Sequence, residues 1–241
     1  MDKNILKNKN CFVTGSTGGI GKEICIQLAR SNCNLFLTAR DRKSLIKLKK
    51  ELLKINSKIK VEFFEGDLTK LNELKKILFY AKNFFTQFDI LINSAGVFII
   101  KSIYDLSQKD YEDCINLNVR APFLLCKEIV PQMISNNWGR IVNIGSSSSY
   151  NAFEGGTLYC ASKFGILGLS RSLHEELKDH NVRTFCISPG STKTEMAKIS
   201  TDQDFTTFLN PTEIAKYVIF VISFDNELVS EEIRLNRMIL K

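Results

Sequence analysis

Short apolar runs rich in β-branched and aromatic residues alternate along the chain with longer stretches of helical periodicity. Seven such runs are candidate strands, at residues 11–14, 35–38, 61–64, 90–93, 141–144, 183–187 and 233–235. Between them, apolar residues recur every three or four positions, as at Ile20, Ile24 and Leu28, which indicates amphipathic helices. This alternation predicts a doubly wound α/β fold, in which a parallel sheet of about seven strands carries helices on both faces.

Length and composition fit one domain spanning residues 1–241, since no repeat or Pro/Gly-rich linker divides the chain. With 24% charged and 10% aromatic residues, the sequence is unlike disordered, collagen-like or coiled-coil chains. The net charge of +7 would permit a nucleic-acid or anionic-membrane partner. However, the Lys-rich helix predicted over 44–60 has no interleaved stacking aromatics, so we interpret it as a solvated face and expect neither partner.

The seven cysteines are scattered and never spaced as CxxC, which argues against a disulfide framework and against a thiolate zinc site. The two histidines, His174 and His180, form no metal-binding pattern, so no metal is expected. The first residues lack the apolar stretch of a signal peptide, and no apolar run approaches the ~20 residues that span a bilayer. We therefore expect a cytoplasmic protein.

A glycine-rich turn, TGSTGGIG at residues 14–21, follows the first predicted strand and leads into a helix. Such a turn lets a pyrophosphate approach the backbone at the positive end of the helix dipole. A P-loop would need Gly in place of Ser16 and Ser or Thr in place of Glu23, so that alternative fails. An ordinary glycine-rich turn remains the other interpretation. The candidate phosphate-binding residues are Gly15, Ser16, Thr17, Gly19, Ile20 and Gly21.

The end of the second strand bears on the choice of dinucleotide. An acidic residue that would hold a ribose 2′-hydroxyl is missing there, where Thr38 stands. Arg40 can instead pair with a 2′-phosphate, and Arg42 and Lys43 could add to the positive field. NADP(H) is therefore favoured and NAD(H) is the second choice, although Arg40 could also be an ordinary surface arginine.

Tyr159 and Lys163 are candidate catalytic residues, because a spacing of four places them on one face of a predicted helix. We expect the ammonium to lower the pKa of the phenol and make it a usable general acid or base. Ser146, thirteen residues before Tyr159 at the end of the fifth strand, could hydrogen-bond the same substrate oxygen. In the run of four serines, Ser148 is the fallback and Ser147 the weaker alternative.

These motifs, in this order, resemble those of the short-chain dehydrogenase/reductase family over nearly the whole chain. Asn118 matches the helix asparagine that completes the family's catalytic tetrad with Ser146, Tyr159 and Lys163. Ser94 departs from the family's NNAG signature, in which asparagine stands at its place. The resemblance implies further cofactor contacts at Asp67, Leu68, Asn93, Ala95, Gly96, Tyr159, Lys163, Pro189, Gly190, Thr192 and Thr194.

The family resemblance also implies a Rossmann-type fold and an activity. Hydride would pass between NADP(H) and a carbonyl or secondary alcohol, either as a 3-oxoacyl-thioester reductase or as a general short-chain alcohol dehydrogenase. A short lid over about 195–210 would contribute Phe205, Phe208 and Leu209 to an open pocket. A homodimer or homotetramer is expected, through helices starting near Asp110 and Thr157, although the C-terminal sequence departs from that of tetrameric relatives. The alternative is a non-catalytic NADP(H)-binding sensor or regulatory protein on the same fold.

Overall fold

The computed structural model describes residues 5–199, 203–227 and 229–238. Within these residues the chain forms one seven-stranded sheet, in the order β3-β2-β1-β4-β5-β6-β7, and every strand pair is parallel. The strands are β1 (Asn10–Thr14), β2 (Asn34–Ala39), β3 (Val61–Glu65), β4 (Ile90–Asn93), β5 (Gly139–Ile144), β6 (Val182–Pro189) and β7 (Glu232–Leu235). The predicted doubly wound fold with seven parallel strands is confirmed.

Helices cover both faces of the sheet. They are α1 (Gly19–Arg30), α2 (Arg42–Ile55), α3 (Leu71–Phe84), α4 (Gln108–Ile115), α5 (Ala121–Ser135), α6 (Thr157–Leu177) and α7 (Pro211–Ile222). Helices α1, α2 and α7 pack on one face, in a core that includes Cys11 and Val13 of β1. Helices α3 and α5 and the end of α6 pack on the other face, together with Phe12. Neighbouring residues of β1 therefore enter opposite cores, as the two-residue period of a strand requires.

The strand order places a ligand crevice beside β1. This strand pairs with β2 on one side and with β4 on the other, so the order in which the chain adds strands to the sheet reverses there, while all strands stay parallel. In open parallel sheets, ligands bind at such a point, beyond the carboxyl ends of the strands. The residues that follow β1, β4, β5 and β6 therefore meet at one edge.

Helix α2 is shorter than predicted, because it ends at Ile55 instead of near residue 60. Asn56 leaves the helix with an extended backbone, at φ −150° and ψ 103°. Its side-chain oxygen accepts the amide of Lys58 at 3.0 Å, and its side-chain nitrogen donates to the carbonyl of Ala29 at 3.1 Å. An asparagine that satisfies nearby backbone groups in this way competes with helix continuation.

All seven cysteines are buried, and none forms a disulfide. The described ranges contain no group of three or more His, Cys, Asp or Glu side chains that could hold a metal ion. In the same ranges, no helix combines the length and apolar character needed to cross a membrane.

Candidate active site

The glycine turn after β1 packs closely on the turn after β4. Gly15 has a φ of +60°, and a Cβ atom there would lie 2.7 Å from the Cα of Ala95. A Cβ on Gly21 would lie 2.2 Å from the carbonyl oxygen of Gly15. The Thr14 hydroxyl accepts hydrogen bonds at 3.1 Å from the amides of both Ser94 and Ala95. A side chain at Gly15 would push the two turns apart, and one at Gly21 would distort the glycine turn itself.

The first amides of α1 are available to a ligand. The residue before the helix, Gly18, supplies no side-chain cap. Within the described residues, the amides of Gly19, Ile20 and Gly21 donate to no protein acceptor. Free amides at the positive end of a helix dipole bind anions such as a diphosphate. This turn therefore fits the pyrophosphate of a dinucleotide.

Three residues that the sequence assigned to the cofactor have side chains that face away from the cleft. The amide and hydroxyl of Ser16 both donate to the carbonyl of Thr38 at 3.2 Å. The Asn93 side chain donates to Asn143 at 2.8 Å inside the sheet, and Leu68 is buried in the core. Their side chains support the turns rather than line the cleft.

The two arginines after β2 differ in their partners. Arg42 forms an ion pair with Glu65, in which Nη1 donates to both carboxylate oxygens, Oε1 at 2.8 Å and Oε2 at 2.7 Å. Arg40 is exposed and makes no hydrogen bond or ion pair with any described residue. Asp41 caps α2 by accepting the amides of Lys43 and Ser44. The positive charge of Arg42 is thus paired with Glu65 and does not add to the field as expected. Arg40 remains available to bind a 2′-phosphate.

A cleft of about 810 Å³ runs along the carboxyl ends of the central strands. From the sequence prediction, its lining includes Gly15, Thr17, Gly19, Ile20, Gly21, Gly96, Ser146, Tyr159, Lys163, Pro189, Gly190, Thr192 and Thr194. Asp67 lies outside this lining after β3, where its carboxylate accepts the amide of Thr69 at 2.9 Å. The structure therefore brings the predicted catalytic residues of β5 and α6 together with the glycine turn.

Tyr159 is buried, and burial raises the pKa of its phenol to about 12, while the adjacent Ser146 hydroxyl opposes that shift. The prediction that Lys163 lowers the pKa of Tyr159 is therefore wrong. The Lys163 ammonium donates to the carbonyl of Ile144 at 2.8 Å and lies 5.6 Å from the centre of the phenol ring. Burial lowers the pKa of Lys163 to about 8.

Ser146 begins the serine run with an extended backbone and a half-buried side chain. Its hydroxyl accepts the Ser148 amide at 3.1 Å, and its own amide donates to the Ser149 hydroxyl at 3.2 Å. Ser147 and Ser148 also line the cleft, but Ser146 is the serine whose hydroxyl lowers the pKa of the Tyr159 phenol through a side-chain hydrogen bond. The geometry therefore favours Ser146 over its two alternatives.

Asn118 lies in a π-helical turn, Asn116–Arg120, between α4 and α5. Its amide donates to the Ser162 hydroxyl at 2.9 Å, which in turn donates to the carbonyl of Tyr159 at 2.7 Å. Single π-helical turns inside helices are frequent at functional sites. The turn links the asparagine directly to the helix that carries Tyr159.

The lid contains two short 3₁₀ turns, Glu195–Ile199 and Phe205–Thr207. Two backbone hydrogen bonds join the residues that flank the lid. The amide of Leu209 donates to the carbonyl of Ser191, and the amide of Lys193 donates to the carbonyl of Leu209, both at 2.9 Å. Phe208 lines the cleft, whereas Phe205 and Leu209 do not, so only one of the three expected apolar contacts faces the cleft. Phe98, which was not among the predicted site residues, also belongs to the site, because its ring centre lies 4.5 Å from that of Tyr159.

A family model described as short chain dehydrogenase matches residues 9–204. The chain belongs to this short-chain dehydrogenase family. An oxidoreductase of Staphylococcus saprophyticus without an assigned role is 31% identical over 217 residues, which cover 90% of this chain and 92% of the relative. A 3-oxoacyl-[acyl-carrier-protein] reductase of Buchnera aphidicola is 29% identical over 238 residues, or 95% and 96% of the two chains.

The fold comparison agrees with this family. A crystal structure of a metagenomic short-chain oxidoreductase in complex with NADP superimposes with a TM-score of 0.84. It is 27% identical in sequence, and the match covers 98% of this chain and 99% of that one. The likeness thus extends over the whole sheet and its helices.

Proposed function

We propose that this short-chain dehydrogenase transfers hydride between NADP(H) and a carbonyl or secondary alcohol, with Tyr159 as the proton donor and acceptor. The observation that carries the proposal is one continuous cleft. It holds the Ser146 and Tyr159 hydroxyls together and extends to the uncapped amides of α1. The metagenomic relative, whose structure contains NADP, supports the cofactor assignment.

The residues of the chain fit the cofactor at two places. The amides of Gly19, Ile20 and Gly21 would hold the diphosphate, because no protein acceptor in the described ranges occupies them. Arg40 would hold the 2′-phosphate of NADP(H), and NAD(H), which lacks that phosphate, is the second choice. When bound, the nicotinamide supplies a hydride to a carbonyl carbon or accepts one from an alcohol carbon.

The protein's own groups manage the proton. During reduction, Tyr159 donates its phenolic proton to the carbonyl oxygen, while Ser146 donates a hydrogen bond to the same oxygen as negative charge develops. The raised pKa of about 12 keeps the phenol protonated at neutral pH, which suits the reductive direction. Lys163 has a pKa lowered to about 8, so it can hold or release the proton that returns to Tyr159. Asn118 fixes the backbone around this pair.

The test is NADPH oxidation with a panel of carbonyl compounds, comparing the native protein with Tyr159→Phe. We expect the substitution to lower kcat by about 10²-fold or more, because a positioned proton donor contributes at least that much. A thermal-shift titration should show that Tyr159→Phe still binds NADPH. Binding without turnover of any carbonyl by the native protein would favour the sensor instead.

The substrate class within the family and the assembly are also part of the proposal. The Buchnera relative is named for reduction of a 3-oxoacyl thioester, and that reaction and general alcohol dehydrogenation use the same proton chemistry. We expect a homodimer or homotetramer acting on a small molecule. Seven buried thiols without a disulfide support a reducing, cytoplasmic location.

A further inference from the structure

Beyond Ser146 and Tyr159, three segments contribute large apolar side chains to the cleft, among polar ones such as Asn151 and Gln203. One segment follows β4, one follows β5 and the third forms the lid. The large apolar residues are Phe98, Ile100, Phe153, Met196, Ile199 and Phe208. Four of them remain substantially exposed at the mouth of the cleft, namely Ile100, Phe153, Met196 and Ile199 at 38%, 40%, 41% and 55%. A ligand that covers them would remove apolar surface from water.

The aromatic part of this lining starts at the catalytic phenol. The Phe98 ring packs edge to face on Tyr159, with ring centres 4.5 Å apart and an interplanar angle of 69°. Phe153 continues the wall, with its ring centre 6.1 Å from that of Phe98. A group attached to a carbonyl that is bound at Tyr159 would therefore meet two aromatic rings first. Aromatic pairs gain from such edge and offset contacts beyond the area that they bury.

The wall is held in place by two consecutive glycines. Gly155 has a φ of +73°, and its carbonyl accepts the Lys101 amide at 3.0 Å, which ties the segment after β4 to the segment after β5. A Cβ on Gly156 would lie only 2.5 Å from a ring carbon of Phe153. The Phe153 ring thus lies against the Gly156 backbone, immediately before the helix that carries Tyr159. A preformed wall binds its ligand without the cost of ordering it.

The charges at the cleft disfavour an anionic substrate. In the described residues the lining includes no arginine, and its one lysine, Lys163, is engaged by the Ile144 carbonyl. Glu195 pairs with Lys198 at 2.7 Å. Glu154 is exposed at the rim and has no ion-pair partner in the described part of the chain. A phosphate or carboxylate on the substrate would meet a like charge there and no cation suited to bind it.

From this wall and this charge pattern we infer the substrate class. The protein acts on a neutral ketone, or the corresponding secondary alcohol, with an aryl group beside the carbonyl carbon, in preference to an anionic acyl thioester. Phe153 and Glu154 determine this preference, Phe153 through contact with the aryl ring and Glu154 through charge. The inference rests on the proposed function, since it requires the carbonyl to bind at Tyr159.

The test compares kcat/KM of the native protein, with NADPH, for acetophenone, butanone and acetoacetyl-coenzyme A. We expect kcat/KM to be highest for acetophenone, lower for butanone and lowest for acetoacetyl-coenzyme A. Phe153→Ala should lower kcat/KM for acetophenone by about tenfold, as loss of an aromatic contact does, and lower kcat/KM for butanone by a clearly smaller factor, because butanone has no aryl ring to contact it. Glu154→Lys should raise the ratio of kcat/KM for acetoacetyl-coenzyme A to kcat/KM for butanone.

The matched control is Phe79→Ala, which removes an aromatic side chain that is 64% exposed on α3 and does not line the cleft. It should leave all three values unchanged. A higher kcat/KM for acetoacetyl-coenzyme A than for acetophenone would overturn the inference and leave the proposed function standing. Equal losses for acetophenone and butanone in Phe153→Ala would overturn it as well. If the native protein reduces none of the three compounds or any other carbonyl, the proposed function itself fails.

Discussion

The side chain of Asn118 occupies both backbone hydrogen-bonding groups of Val97. The Val97 amide donates to its Oδ1 at 2.9 Å, and its Nδ2 donates to the Val97 carbonyl at 3.0 Å. Val97 lines the cleft between Gly96 and Phe98. The asparagine therefore fixes the segment after β4 to the π-helical turn, and with it the ring that packs on Tyr159.

Asn118→Leu keeps a similar side-chain volume but leaves two backbone groups of Val97 without their partners. We expect the free energy of unfolding to fall by about 1–3 kcal/mol, the cost of buried unsatisfied groups. We also expect kcat/KM to fall by about tenfold or more, because Phe98 and Tyr159 lose their fixed relation. Urea denaturation and steady-state kinetics measure the two effects.

Asn116→Leu is the control for this substitution. Asn116 lies in the same π-helical turn, half-buried, and its side chain makes no hydrogen bond within the described ranges. It should change stability by less than about 0.5 kcal/mol, as substitutions away from such features do. Equal losses in both variants would show that the effect does not come from the two hydrogen bonds between Asn118 and Val97.

The sequence was sufficient to predict the sheet and its functional edge, because both follow from periodicity. Apolar runs with flanking turn residues located seven strands. Parallel strands place their carboxyl ends on one edge, so the glycine turn after β1 and Ser146 after β5 were expected to meet. Tyr159 and Lys163 are four residues apart, so a single predicted helix was enough to place both side chains on the same face.

Side-chain direction at the strand ends could not be predicted in the same way. Adjacent residues in a turn point to different sides, so Ser16 faces Thr38 while its neighbour Thr17 lines the cleft. Phe98 and Phe153 lie in irregular segments without a period, and only the packing at Gly156 places the Phe153 ring.

The pKa of Tyr159 could not be predicted from its spacing to Lys163. Sequence proximity predicted that the Lys163 ammonium would lower the pKa of the phenol. In the structure, the ammonium instead donates a hydrogen bond to the Ile144 carbonyl. Burial then dominates and raises the phenol's pKa to about 12. Competition from a backbone acceptor nineteen residues away has no sequence signal.

Arg40→Ala should weaken NADPH binding far more than NADH binding. The guanidinium makes no hydrogen bond or ion pair with a described residue and interacts only at longer range with the Asp67 carboxylate, so a 2′-phosphate would gain a charge-assisted hydrogen bond without breaking an ion pair. Such a bond is worth about 1.5–3 kcal/mol, so we expect roughly a 10- to 100-fold increase in Kd for NADPH. Fluorescence titration with both cofactors measures the change.

Arg42→Ala is the matched variant for that titration. It removes the same side chain two residues away, but this arginine is already paired with Glu65. We expect little change in the Kd of either cofactor. If Arg42→Ala weakens NADPH as much as Arg40→Ala does, the 2′-phosphate assignment is wrong.

An apolar surface on three helices predicts self-association. Tyr111 on α4, Phe123 on α5 and Phe164 on α6 are 57%, 47% and 48% exposed. Helix α6 contacts both α4 and α5, and large exposed aromatic residues on neighbouring helices are typical of interaction surfaces. We expect sedimentation equilibrium to give the mass of a dimer or tetramer, and Phe123→Glu to lower it. Phe79→Glu on α3 is the control, and a monomeric native protein would refute the prediction.

Lys163 should make stability depend on pH in the alkaline range. Lys163 is only 7% exposed, and burial lowers its pKa from 10.5 to about 8. Below pH 8 the lysine is charged in both folded and unfolded chains, so the folded state bears the full penalty of a buried charge. Between pH 8 and 10.5 the unfolded chain binds more protons than the folded chain, so the free energy of unfolding rises with pH.

Comparison with Lys163→Met isolates this contribution, because the variant retains every other titrating group. From pH 7 to pH 10, we expect the native protein to gain about 2.5 kcal/mol of unfolding free energy relative to the variant, because each of the two pH units above the folded pKa contributes about 1.36 kcal/mol. Urea denaturation of both proteins at the two pH values provides the measurement. A difference that stays constant would mean that the Lys163 ammonium titrates near its ordinary pKa, and Lys163 could then not exchange a proton with Tyr159 near neutral pH.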